Sequence, residues 1–194
     1  MLLVPAGEFE MGSSRSDAQD DETPHQQLIE TPFWIAKYEV TNAEFATFLN
    51  NNRNGNISPD SFEYLDSDDD DRRIRNTDGQ WVADSGFEDH PVIEVSWFGA
   101  RDYCKWLGTG FRLPTEREWE YAASGPSNLR YPWGNTWNEN YVVWSGNSDL
   151  QTKSIGSIQP GISWVGAYDI AGNVWEWTIS LYQNDANVTN IRVL

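Results

Sequence analysis

One thiol, two imidazoles and a dense run of carboxylates are the side chains whose types first invite a chemical reading. The thiol is Cys104, the sole cysteine. With no second cysteine, an internal disulfide, dithiol redox chemistry and a bis-thiolate metal site are all closed to this chain. Cys104 lies four residues after Ala100 and three before Leu107, on a helical apolar spacing, so it reads as a buried core thiol. His25 and His90 stand too far apart to form a local metal motif, and each neighbours a proline. They read as structural or surface residues. Residues 66–71 (DSDDDD) could attract a hard cation, but they lack the D-x-D-x-D-G spacing and distal glutamate that organise a calcium loop. A solvated acidic loop is the expectation. No phosphate-cradling glycine loop, hydrolase elbow or Ser-His-Asp pattern is present.

The elements that must position these side chains follow from local signals. Leu2 to Met11 reads as strand, turn, strand, paired as a hairpin about Pro5-Ala6-Gly7. Residues 12–24 are polar and acidic, hence a loop. Residues 27–40 are rich in Ile, Phe, Trp and Tyr and predict extended chain. Thr41 with Glu44 forms a capping box ahead of Phe45, Phe48 and Leu49, which predicts a helix. Residues 53–90 read as an insertion loop, in which Asp78-Gly79 makes a tight turn before a short strand. Ser96 caps a second helix with Trp97, Ala100, Cys104 and Leu107 on one face and Gly108 as its stop. Thr115 and Glu118 form a second capping box, opening a third helix with Trp119, Tyr121, Ala122 and Ala123 as its apolar members. The fold class expected is α+β, short helices on a twisted antiparallel sheet with many ordered loops.

At 194 residues the chain has room for one domain, 1–194. Eleven tryptophans, eight tyrosines and eight phenylalanines mean that rings fill much of the core. The net charge of −17 argues against nucleic acid and anionic membranes as partners. No apolar run approaches the roughly 18 residues that a membrane helix needs, and the N-terminus lacks the basic segment of a signal peptide. A cytoplasmic protein is the default expectation.

Seven blocks in order then acquire a common meaning. They are residues 4–12 (VPAGEFEMG), 37–45 (KYEVTNAEF), 90–97 (HPVIEVSW), 103–107 (YCKWL), 112–122 (RLPTEREWEYA), 131–135 (YPWGN) and 168–178 (YDIAGNVWEWT). The series resembles the formylglycine-generating enzyme, or sulfatase-modifying factor, family, and the bacterial type within it. The resemblance implies a variant of the C-type lectin fold.

Catalytic members of that family bind copper(I) through a cysteine pair after a GGS motif and oxidise a sulfatase cysteine to formylglycine. This sequence stops at Ile191-Arg192-Val193-Leu194, which the resemblance places in the strand ahead of that motif. The expectation is a domain without its closing strands and without the cysteine pair, so copper is not expected in this chain. The resemblance also implies a calcium segment, with Asp169 and Glu176 as carboxylate ligands and Gly172 and Val174 giving main-chain carbonyls; the competing reading has Asp169 and Glu176 cap loop amides only. The family's second calcium site is expected to be lost, because Val142 stands where an Asn belongs. Gly172 and Asn173 are expected to supply a positive-φ turn.

Three functional readings remain open at this point. The first is a non-catalytic member that binds a protein or small-molecule ligand. The second is a scaffold fragment of the copper-dependent oxidase, with a sulfatase as partner only if the parent is catalytic. The third is an accessory domain of a larger enzyme such as a sulfoxide synthase.

Overall fold

The computed structural model describes residues 1–15, 22–52, 54–182 and 190–193. Part of the polar loop expected at 12–24, Arg53 at the end of the first predicted helix, and Leu194 fall outside the described residues. The elements run β1 (Leu2–Val4), β2 (Gly7–Met11), β3 (His25–Ile29), β4 (Phe33–Ile35), α1 (Asn42–Asn51), β5 (Ile74–Thr77), β6 (Gln80–Ala83), α2 (Trp97–Leu107), α3 (Glu116–Ser124), β7 (Trp177–Tyr182) and β8 (Asn190–Val193). The class is α+β, with antiparallel pairs β1–β4, β2–β3, β5–β6 and β7–β8 in place of one continuous sheet. Among the described residues no helix is long and apolar enough to cross a membrane.

The chain divides into two compact units. The first comprises Met1–Tyr38, Pro114–Asp149 and Gly156–Asn173; the second comprises Glu39–Leu113, Leu150–Ile155 and the residues from Val174 onward.

In the first unit the strand, turn and strand at the N-terminus form where expected, but they do not pair with each other. β1 pairs β4, with Leu2 opposite Ile35 and Val4 opposite Phe33, and β2 pairs β3, with Phe9 opposite Gln27. The three-residue β1 is too short to hold a hairpin by its own ladder, and the two pairs instead converge on one core. Val4, Phe9 and Ile29 are buried there with Tyr121, Ala122 and Ala123 of α3 and with Ala167 and Ile170. Thr115 starts α3 as foreseen: its side chain accepts from Glu118 N, and the Glu118 side chain accepts from Thr115 N at 2.8 Å. Trp164 Nε1 donates to the Tyr121 carbonyl at 2.7 Å, satisfying an indole N–H at the end of the helix.

The second unit packs α1 and α2 around a ring cluster in which Phe45, Phe48, Tyr64 and Tyr103 are buried with Leu49, Leu65 and Ile74. The reciprocal Thr41–Glu44 box opens α1. Residues 53–90 contribute Tyr64, Leu65 and Ile74 to this core and carry the β5–β6 hairpin. Thr77 faces Gln80 across a two-residue turn in which Asp78 (φ 53°) and Gly79 (φ 83°) both take left-handed conformations.

The face buried on α2 differs from the one the apolar spacing indicated. Gly99, Asp102 and Tyr103 are buried, whereas Trp97, Ala100 and Cys104 are half-buried and Leu107 is exposed. Asp102 is inside because it is neutralised. Its carboxylate accepts from Arg101 Nε at 2.7 Å and Lys105 Nζ at 2.9 Å, and the Tyr64 hydroxyl donates to it at 3.3 Å. Burial alone pushes Asp102 up, but the Arg101 and Lys105 hydrogen bonds and charges outweigh burial and hold it below the usual aspartate value.

Candidate functional site

The segment from Asp169 to Glu176 is built on a tight turn. Asp169 has φ 59°, and its carbonyl accepts from Gly172 N at 2.9 Å. Asn173 has φ 66°, and its N–H donates to the Val143 carbonyl at 2.9 Å. Only Asn173 of the expected Gly-Asn pair takes a positive φ. Gly172 is needed for a different reason: a Cβ there would lie 2.3 Å from the Val143 carbonyl oxygen and 2.5 Å from Val142 Cγ2. Two backbone segments approach too closely for a side chain.

Asp169 Oδ2 accepts from Gly156 N at 2.7 Å. Burial pushes the Asp169 carboxyl above its usual value, and the Gly156 hydrogen bond only partly offsets this. Nothing in the sequence singled out Gly156, because the contact joins residues 13 positions apart. Asp169 and Gly172 belong to the first unit, Val174 and Glu176 to the second. Val174 and Glu176 are half-buried, and Glu176 has a partner of its own. Among the described residues no group of three or more His, Cys, Asp or Glu side chains is disposed to hold a metal. The donors that Asp169 and Gly172 offer, a carboxylate and a main-chain carbonyl, are hard oxygens, the kind that suit calcium rather than copper(I).

Cys104 is half-buried on α2. Burial pushes its thiol up to about 11 from the ordinary 9.0, against a weaker opposing backbone hydrogen bond, so it is a protonated thiol at neutral pH. The two histidines are held as local structure. His25 Nδ1 lies 2.9 Å from the Thr23 carbonyl, and His90 Nδ1 lies 2.9 Å from Thr152 Oγ1 with its ring against Phe87. The acidic run spends its carboxylates on its own turns: Asp66 Oδ1 accepts from Asp68 N at 2.9 Å and Asp69 Oδ1 from Asp71 N at 2.7 Å.

A half-buried carboxylate also supports the first unit. Glu120 Oε1 accepts from Gly12 N at 2.7 Å, tying α3 to the end of β2. Burial raises its pKa, Glu116 and Glu22 add to the rise, and the Gly12 hydrogen bond and His25 oppose it. The folded chain thus holds this proton more tightly than the unfolded chain. Stability is therefore expected to fall as pH rises from the ordinary glutamate value of 4.5 through the raised folded value. Glu120→Gln keeps an acceptor for Gly12 N and removes the charge, so its melting temperature should decline less than the parent's as pH rises above 4.5. Parallel slopes for the two proteins would contradict this reading of Glu120.

The profile of the sulfatase-modifying factor enzyme 1-like domain matches residues 1–194. The chain is 34% identical over 217 residues to the "inactive C-alpha-formylglycine-generating enzyme 2" of Bos taurus, covering 94% of this chain and 71% of that protein. It is 35% identical over 196 residues to the serine/threonine-protein kinase Pkn1 of Chlamydia trachomatis serovar L2, where the match takes in 95% of this chain but only 28% of the kinase. The structure of PvdO from Pseudomonas aeruginosa superposes with a TM-score of 0.67 over 93% of this chain and 70% of PvdO, at 23% identity, a likeness of fold. The order of the blocks, the α+β architecture and these matches agree: the chain belongs to the formylglycine-generating enzyme, or sulfatase-modifying factor, family.

Proposed function

We propose that this chain acts as a non-catalytic binding module of its family, engaging a protein or small-molecule ligand. The observation that carries the reading is the state of Cys104, the one thiol within these 194 residues. The family's oxidation needs two thiolates for copper(I). This chain supplies one cysteine, half-buried and with its pKa pushed up to about 11. Two relatives support the same direction: one is named inactive, and another is a kinase in which the matching stretch is 28% of the chain. When copper(I) is titrated against a chromophoric chelator, the purified chain is expected to draw no metal from the chelator, and Cys104→Ala should behave identically. Stoichiometric uptake that depends on Cys104 would contradict the proposal.

Calcium binding by residues 169–176 is the companion proposal, supported by the oxygen donor chemistry of that segment. Calcium bound only to the folded state should raise the melting temperature with the logarithm of its free concentration. At a hundredfold excess over Kd the gain is about 2.7 kcal/mol. Asp169→Ala should abolish the rise, while Asp68→Asn with Asp70→Asn should leave it. A melting curve that neither calcium nor EDTA moves would end this proposal.

A further inference from the structure

The first unit presents a cluster of four aromatic rings among residues 131–144. Tyr131 and Trp133 stack with centroids 5.2 Å apart and planes 8° from parallel. Trp137 leans on Tyr131 at 5.4 Å, and Trp144 meets Trp137 at 5.7 Å with their planes at 86°. Trp137 and Trp144 remain 46% and 38% exposed. The two exposed indoles touch, so they form one contiguous apolar patch rather than scattered exposed rings. Asn147 fixes the backbone beneath it: its Oδ1 accepts from Trp144 N at 3.0 Å, and its Nδ2 donates to the carbonyls of Glu139 at 2.8 Å and Val142 at 2.9 Å. Trp133 Nε1 donates to the Thr136 carbonyl at 3.1 Å, and Arg130 N to Asn135 Oδ1 at 2.9 Å. The exposed rings are thus preorganised rather than draped over the surface.

Charge narrows the occupant. From residue 131 to residue 152 there is no Lys or Arg, while Glu139 and Asp149 are exposed carboxylates, and the whole chain carries −17. The flank of the cluster already holds a guanidinium, since Arg130 lies over the Tyr131 ring at 5.3 Å. Indole faces attract cations through their quadrupole, and arginine more often than lysine because its planar group also stacks. The rings touch one another, so they form a surface and not a cage around a small ion. We infer that the Trp137–Trp144 face is a docking surface for an arginine-rich segment of a partner protein. This gives the binding-module reading a partner class and rests on that reading.

The test uses a fluorescently labelled octa-arginine peptide and an octa-lysine peptide of equal charge, with anisotropy as the readout at near-physiological salt. Simple attraction to an acidic protein treats the two peptides alike, whereas stacking on indoles does not. The arginine peptide is expected to bind several-fold tighter, and Trp137→Ala with Trp144→Ala to erase that preference while leaving the lysine peptide's affinity nearly unchanged. Asp68→Asn with Asp70→Asn should weaken both peptides equally or not at all. Should the double tryptophan variant fail to fold, fluorotryptophan NMR of the intact chain provides the second readout. The Trp137 and Trp144 resonances, assigned by single Trp→Phe changes, should move with the arginine peptide. Equal binding of the two peptides, or an arginine preference that survives the double variant, overturns the proposal. So does a shift of those resonances by choline alone, or by concentrating the chain without peptide, which would give the face to a small cation or to a second copy. Each of these outcomes leaves the copper titration to decide the non-catalytic reading separately.

Discussion

Gly172→Ala is expected to lower the melting temperature by about 6–12 °C, corresponding to a loss on the order of 3 kcal/mol. The added Cβ would sit 2.3 Å from the carbonyl oxygen of Val143, well inside contact distance. That oxygen cannot step aside cheaply, because it accepts the Asn173 N–H at 2.9 Å and Val143 is itself buried. The variant must therefore open the turn, lose that hydrogen bond, or both. Gly172 does not take a positive φ, so the cost comes from the contact rather than from backbone strain. Gly79→Ala is the complementary control: Gly79 has φ 83° and nothing within 4 Å of a Cβ. Its expected cost is only the left-handed penalty, about 1 kcal/mol. If Gly172→Ala melted no lower than Gly79→Ala, the close approach to Val143 would not be a constraint on the fold.

That glycine also marks where the sequence stops being legible. The segment around it is recognisable in the sequence and predicts a turn, but sequence alone points to dihedral freedom as the reason. Whether a glycine serves a positive φ or a close approach depends on a partner segment some thirty residues away, which local sequence does not reveal. The helix starts at Thr41, Ser96 and Thr115 were readable because a cap is satisfied within three residues of itself. The Asp78-Gly79 hairpin was readable for the same reason. Strand partners are not: β1 and β2 look like a hairpin, yet each pairs with a strand among residues 25–35. The buried face of α2 differs from the apolar spacing because Asp102, polar by type, is neutralised by Arg101 and Lys105 and goes inside. In the candidate segment, the block around Asp169 is legible in the sequence. Its Gly156 partner and the ring surface at residues 131–144 were missed. The one available signal for the latter was the density of aromatics over a stretch without lysine or arginine.

The absence of oxidase activity is the second large effect expected, and it is all-or-none. The oxidation that the family resemblance implies uses a thiolate pair for copper(I), and a soft monovalent ion is poorly held by carboxylates or by one protonated thiol. Partial burial pushes the Cys104 thiol up to about 11, so it is protonated at neutral pH. Removing it should consequently change nothing in a copper-dependent assay. The decisive measurement incubates the purified 194-residue chain with a sulfatase-type cysteine peptide, copper(I) and oxygen, and follows the peptide by mass spectrometry. The account predicts that the peptide cysteine stays unconverted, with Cys104→Ala indistinguishable from the parent. Formylglycine that accumulates over turnovers with the parent and disappears in Cys104→Ala would contradict it.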